Sequence, residues 1–104
     1  MEYILVVEFE SPSEVTSKIM NLPLTHLIQL ENHFQNLNVL CKRIQDEMFE
    51  VDVEGIKILS VLGGSSFCYR VISQSMAIEE TVIGGGTVKI QKTVWTLGKE
   101  KISK

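Results

Sequence analysis

The first hydrophobic run of the chain predicts a strand. From Tyr3 to Phe9, apolar side chains occupy both alternating faces, and only Glu8 interrupts them. A strand that is apolar on both faces is typical of the middle of a sheet, where each face is covered. We therefore expect a central strand over residues 3–9.

The next segment carries the sequence signature of a helix start. In Ser11-Pro12-Ser13-Glu14, the serine can cap a helix, the proline suits the first helical position, and Glu14 can return a bond to the cap. This pattern predicts a short helix that runs to about Met20. Asn21-Leu22-Pro23 ends it, because the residue before a proline avoids the helical conformation.

The middle of the chain shows a heptad pattern of apolar residues. Seven of them follow one another at spacings of three and four: Leu27, Leu30, Phe34, Leu37, Cys41, Ile44 and Met48. This spacing predicts one long helix from Leu24 to Phe49, about 39 Å in length at 1.5 Å per residue. Asn32, Asn36 and Asn38 are poor helix formers, so a break near Asn36 is the alternative.

The second half of the chain reads as strands and turns. Residues 49–53 alternate between apolar and acidic, 56–62 and 67–72 read as two strands, and Ser73-Gln74-Ser75 interrupts the pattern. Two further strands, over residues 76–83 and 87–97, flank the glycines 84–86 as a hairpin. The fold class is therefore α+β: one short and one long helix after a first strand, followed by a mostly antiparallel sheet of four to five strands. We expect a single domain over residues 1–104, with 98–104 as a frayed tail.

Composition and charge exclude several classes of protein. The chain has 104 residues, 44% of them hydrophobic and 22% charged, and its formal net charge is −3. This balance is globular and argues against a dedicated nucleic-acid binder. No apolar run approaches the roughly 18 residues that a membrane helix requires. The opening Met1-Glu2 lacks the basic start of a secretory signal, so we expect a cytoplasmic protein with both cysteines reduced.

Candidate chemistry is sparse along the sequence. The three glycines at 84–86 match neither dinucleotide-binding nor phosphate-loop spacing. His26 and His33 are seven residues apart, too far for one metal ion within a single helix, and no cysteine has a nearby base. We expect no catalytic residue, no metal site and no cofactor, and we expect Trp95 in the core rather than at an interface.

Two functional hypotheses follow from the pattern. The first is a small non-enzymatic interaction module that forms a homo-oligomer through the seven heptad residues, so that Leu37→Asp dissociates it. The second is a protein that binds or sequesters a small anionic ligand, such as a nucleotide. Its candidate site combines the glycine turn with two lysines of the following strand: Gly84, Gly85, Gly86, Lys89 and Lys92.

Overall fold

The computed structural model describes residues 2–12, 14–45, 48–64 and 67–99. Eight elements follow one another in this part of the chain: β1 (Glu2–Glu10), β2 (Val15–Met20), α1 (Leu24–Asn36), β3 (Cys41–Gln45), β4 (Met48–Val51), α2 (Gly55–Leu62), β5 (Arg70–Ile83) and β6 (Gly86–Lys99). The six strands form one sheet in the order β3-β4-β2-β1-β6-β5, and all neighbours are antiparallel. The predicted α+β class and antiparallel sheet are confirmed.

The two helices pack on one face of the sheet, and the core lies between the helices and the sheet. Directly opposed strand residues share a face, so Val6, Ile19, Phe49 and Trp95 all point towards the helices. They form one cluster with the buried residues of α1 (Leu27, Leu30, Phe34) and of α2 (Ile58, Leu62). The prediction that Trp95 belongs to the core is confirmed, since it is only 6% exposed.

Strand β1 is central, as predicted, with β2 on one side and β6 on the other. The side of β1 that faces the helices is fully buried at Ile4 and Val6. On the opposite side, Val7 is buried while Tyr3 is 55% exposed, because no helix among the described residues covers that face.

The predicted short helix after Ser11 is wrong, because residues 15–20 form β2. The serine hydroxyl does accept from the Glu14 N–H, at 3.3 Å, as it would in a helix cap. Here that bond closes the turn between β1 and β2, and the Ser11 N–H also donates to the Glu14 carbonyl. The same local bonds fit a turn or a helix start, and the β-branched Val15, Thr16 and Ile19 then favour a strand.

The predicted long helix is wrong beyond Asn36, and the alternative of a break at this residue is confirmed. Asn38 adopts a left-handed backbone with φ of 60°. Its N–H donates to the Gln35 carbonyl, and the Val39 N–H donates to the Phe34 carbonyl, at 3.0 and 2.9 Å. This pair of bonds is the Schellman ending of a helix. The chain then reverses into β3 and β4, which the heptad pattern placed in the helix.

Two further predictions for the second half need correction. Residues 56–62 were expected as a strand but form α2, which buries Ile58 and Leu62 four residues apart. Short apolar runs fit both structures, and only burial on one side selects the helix. Ser73-Gln74-Ser75 lies inside β5 rather than between strands, and the irregularity in this strand is a bulge between Val71 and Ser73.

The predicted hairpin at the glycines is confirmed. Ile83 pairs with Gly86, so Gly84 and Gly85 alone form the turn, with φ of 59° and 83°. Positive φ at both positions is the requirement of a type I′ turn, which glycine meets without strain. Strand β6 continues through Gly98 and Lys99, both paired with β1, and the rest of the predicted tail lies outside the described residues.

Candidate interaction surface

The heptad residues do not share one surface in the structure. Leu27, Leu30 and Phe34 are buried in the core of the chain itself, at most 2% exposed. Leu37 ends α1 and is 60% exposed, on the wall of a cleft of about 400 Å³ that Val39, Val53 and Val61 also line. Cys41 and Ile44 lie in β3 and Met48 in β4. The role of these seven residues in an interface between copies stays a prediction, but no continuous helix presents them.

Cys41 behaves as a structural residue. It is half-buried beside the core, and burial, followed by the nearby Glu31 carboxylate, raises the pKa of its thiol. A raised pKa keeps the thiol protonated at neutral pH, and the thiolate is the nucleophilic form. Cys41 is therefore poorly suited to nucleophilic chemistry.

The candidate anion-binding residues are separated by the strand geometry. Lys89 lies directly opposite Glu80 of β5, on the face that carries the helices. Lys92 lies opposite Phe9 on the other face, with its Nζ 5.7 Å from the centre of the Phe9 ring. Gly84 and Gly85 form the tip of the hairpin, beyond both lysines. The anion site stays a prediction from the sequence pattern alone, since these groups do not converge.

Sequence reasoning missed a group of exposed apolar side chains on strand β5. Every side chain of β5 that the structure describes is exposed. Large apolar ones recur along it and are between 49% and 75% exposed: Val71, Ile72, Met76, Ile78 and Val82. The hydrophobic residues of this segment were visible in the sequence, but their exposure depends on which strand forms the edge of the sheet.

Strand β5 also extends beyond the sheet. Pairing between β1 and β6 stops at Glu10 and Gln91, so residues 79–83 and 86–90 pair only with each other in the part of the chain that the structure describes. We call this two-stranded segment the ribbon. It contributes to the elongated outline of the molecule, 58 × 29 × 22 Å with a radius of gyration of 14.7 Å, against about 13 Å for a compact domain of this length. A two-stranded ribbon is marginally stable alone, and further packing would stabilise it.

In the described ranges, no three side chains of His, Cys, Asp or Glu come together as metal ligands. No described helix has the length and hydrophobicity to cross a membrane. The sequence matches no protein-family model and no curated protein.

Proposed function

We propose that this protein is a non-enzymatic interaction module that works as a homodimer, in which two copies pair along β5. The observation that carries this proposal is the edge position of a 14-residue strand with exposed apolar side chains. The outer edge of such a strand presents backbone N–H and C=O groups without strand partners. A second strand satisfies these groups, and its side chains pack beside the apolar ones on each face of the sheet.

The middle of β5 lacks the features that usually prevent pairing between sheet edges. Proteins protect edges with bulges, prolines and charges. Strand β5 has its bulge near one end, between Val71 and Ser73, and an acidic pair, Glu79 and Glu80, towards the other. The six residues between them, Ser73–Ile78, contain no charge and no proline. Pairing is therefore favoured in this central segment.

Antiparallel pairing of this segment is self-complementary. A two-fold axis perpendicular to the sheet places residue i of one copy opposite residue j of the other, and residue j opposite residue i. The helices of both copies then lie on the same side of the joined sheet. With the axis at Met76, Gln74 faces Ile78 of the second copy. The same register sets Glu79 opposite a serine, so like charges do not face each other. The result is one continuous sheet of twice six strands.

The chain exposes more surface than a typical folded monomer of its mass. The chain exposes 6830 Å², whereas a folded monomer of this mass exposes about 5,900 Å². A standard interface removes roughly 800 Å² from each partner. Pairing along β5 would remove part of this surface from water and stabilise the ribbon.

The test is a matched pair of aspartate variants measured by light scattering at tens of micromolar protein. Wild type should have twice the chain mass of 11.7 kDa. Ile78→Asp should have the mass of one chain, because it sets a charge in the paired segment. Ile78 is 66% exposed in the single chain, so its replacement should leave the fold intact by circular dichroism.

Leu37→Asp is the control, because Leu37 is similarly exposed at 60% but lies at the end of α1. It should remain dimeric. If Leu37→Asp dissociates the dimer and Ile78→Asp does not, the interface lies at the heptad residues instead. A monomeric wild type would contradict self-association through either surface.

We further propose a reducing compartment, such as the cytoplasm, as the location of this dimer. Cys41 is a free thiol, and free thiols persist where the redox poise is reducing. Pairing along β5 does not use Cys41, which lies in β3. The dimer should therefore be equally stable with and without a thiol reductant in the light-scattering experiment.

A further inference from the structure

Helices α1 and α2 cover only part of the sheet face on which they pack. Helix α2 lies over Trp95 of β6, and the face of β5 beyond it carries no element among the described residues. Four large apolar side chains remain exposed there, one from α2 and three from β5: Ile56 (64%), Met76 (57%), Ile78 (66%) and Val82 (75%). We call these four residues the open strip.

Acidic side chains border the open strip. Glu10 and Glu54 line the same depression as Ile56, Met76 and Trp95. Glu80 lies two residues from Ile78 on the same face of β5, with Lys89 directly opposite it on β6. All three carboxylates are exposed. Glu8 also reaches this depression, but its carboxylate is already bound to the Gly55 N–H at 2.7 Å.

We infer that the open strip binds a basic amphipathic helix of another protein. The apolar residues would take the apolar face of such a helix, and the bordering carboxylates would attract its lysines and arginines. From Met76 to Val82 the strand extends about 20 Å, a distance that roughly 14 residues of helix span at 1.5 Å per residue. The bound segment therefore has about four turns.

A second copy of this chain does not provide that helix from its described residues. The apolar faces of α1 and α2 are already buried in the core, at Leu27, Leu30 and Phe34 in the first and at Ile58 and Leu62 in the second. An anionic membrane surface is equally unsuited, since the acidic border would be repelled by it. Charge and shape together point to a separate basic protein segment.

This inference goes beyond self-association, because each open strip belongs to a single chain. The two-fold axis proposed above is perpendicular to the sheet, so both strips of a dimer lie on the same side. Two basic helices joined by a linker would then bind the dimer more tightly than one helix does, because binding of the first raises the effective concentration of the second at the other strip.

Trp95 provides a direct measurement of binding. It is the one tryptophan of the chain and lies beneath the strip, 6% exposed. The probe is a synthetic 14-residue helical peptide of leucine and lysine without tryptophan, with leucines spaced to form one face. Titration should change the Trp95 emission to saturation, and added salt should weaken the affinity. A peptide with glutamate in place of lysine should bind at least tenfold more weakly.

Two double variants with the same change in net charge separate a specific surface from general attraction. Glu10→Lys/Glu80→Lys alters the border of the strip and should weaken binding at least tenfold. Glu14→Lys/Glu79→Lys alters the opposite face, because Glu14 lines a depression there and Glu79 lies opposite Ile90. This control should stay within twofold of wild type.

The inference would be overturned if both double variants weakened peptide binding equally, or if the glutamate peptide bound as tightly as the lysine peptide. It would also be overturned if the lysine peptide left the Trp95 emission unchanged. Light scattering on the same samples keeps the two proposals separate. A dimer that does not bind the lysine peptide refutes the open strip as a binding site and leaves pairing along β5 intact. A monomer that binds it refutes the pairing and leaves the binding site intact.

Discussion

Single residues anchor α2 on the sheet. The Glu8 carboxylate, 8% exposed, accepts a hydrogen bond from the Gly55 N–H at the start of this helix. Gly55 itself lies against the Trp95 indole, where an added Cβ would collide with the ring, 2.8 Å from Cη2. A remote carboxylate thus takes the place of a local helix cap, and the missing side chain of glycine allows the close approach.

Gly55→Ala should therefore destabilise the protein. Alanine improves helix propensity by at most about 1 kcal/mol, but overpacking against the indole costs about 1–3 kcal/mol. We expect a net loss in the free energy of unfolding of about 1–2 kcal/mol, measured by urea denaturation with Trp95 fluorescence. Gly63→Ala, at the exposed end of the same helix, is the control and should cost less. Stability equal to wild type for Gly55→Ala would contradict the close packing of α2 on Trp95.

At the scale of elements, the end of α1 determines whether two of the six strands, β3 and β4, can form. If the helix continued past Asn36, residues 41–51 could not form β3 and β4. The left-handed Asn38 and the two bonds around it stop the helix. Val39, which follows, packs against the core. The heptad pattern of apolar residues continues past Asn38. The helix nevertheless ends there, so the backbone conformation of this residue, and not the apolar pattern, sets the end of α1.

Asn38 substitutions should reveal this ending. Asn38→Ala should lower the free energy of unfolding by about 1 kcal/mol, because a left-handed conformation is unfavourable for a residue with a Cβ that lacks a polar group. Asn38→Gly should be neutral or slightly stabilising, since glycine adopts this conformation freely. Asn36→Ala, inside the helix, should be neutral or stabilising. Chemical denaturation measures all three, and an Asn38→Ala protein as stable as Asn38→Gly would contradict the left-handed ending.

The same local sequence pattern can lead to a helix or to a strand, depending on the neighbouring elements. The Ser11–Glu14 bonds form as they would at a helix start, yet β2 follows because β1 and β4 lie on either side to pair with it. Residues 56–62 form a helix because the sheet below buries one side of them. In both cases the local pattern fits two structures, the sequence-based prediction was wrong, and the neighbouring elements selected the structure.

At the scale of the whole molecule, an elongated chain with a long exposed edge should gain stability from association. The melting temperature of a dimer rises with protein concentration, because dissociation accompanies unfolding. A tenfold increase in concentration should raise the Tm of wild type by a few degrees. Ile78→Asp should melt at a temperature independent of concentration. A concentration-independent Tm for wild type would contradict a dimer that contributes to stability.

The sequence by itself determined the features that depend on local conformational preference. The strand at residues 3–9, the helix start near Leu24 and the glycine hairpin all follow from the printed residues and are present in the structure. Each is fixed by residues close in the chain: an apolar run, a proline before a helix, or two glycines that adopt positive φ.

Only the tertiary structure decided where β2, α2, β3 and β4 form and which strand lies at the edge. Those outcomes depend on partners distant in sequence, such as Glu8 for Gly55 and β1 for β6. Trp95 of β6, under α2, is buried and Met76 of the edge strand β5 is exposed, although the two strands read alike in the sequence. The candidate surface on β5 is therefore a consequence of strand order, which no local pattern encodes.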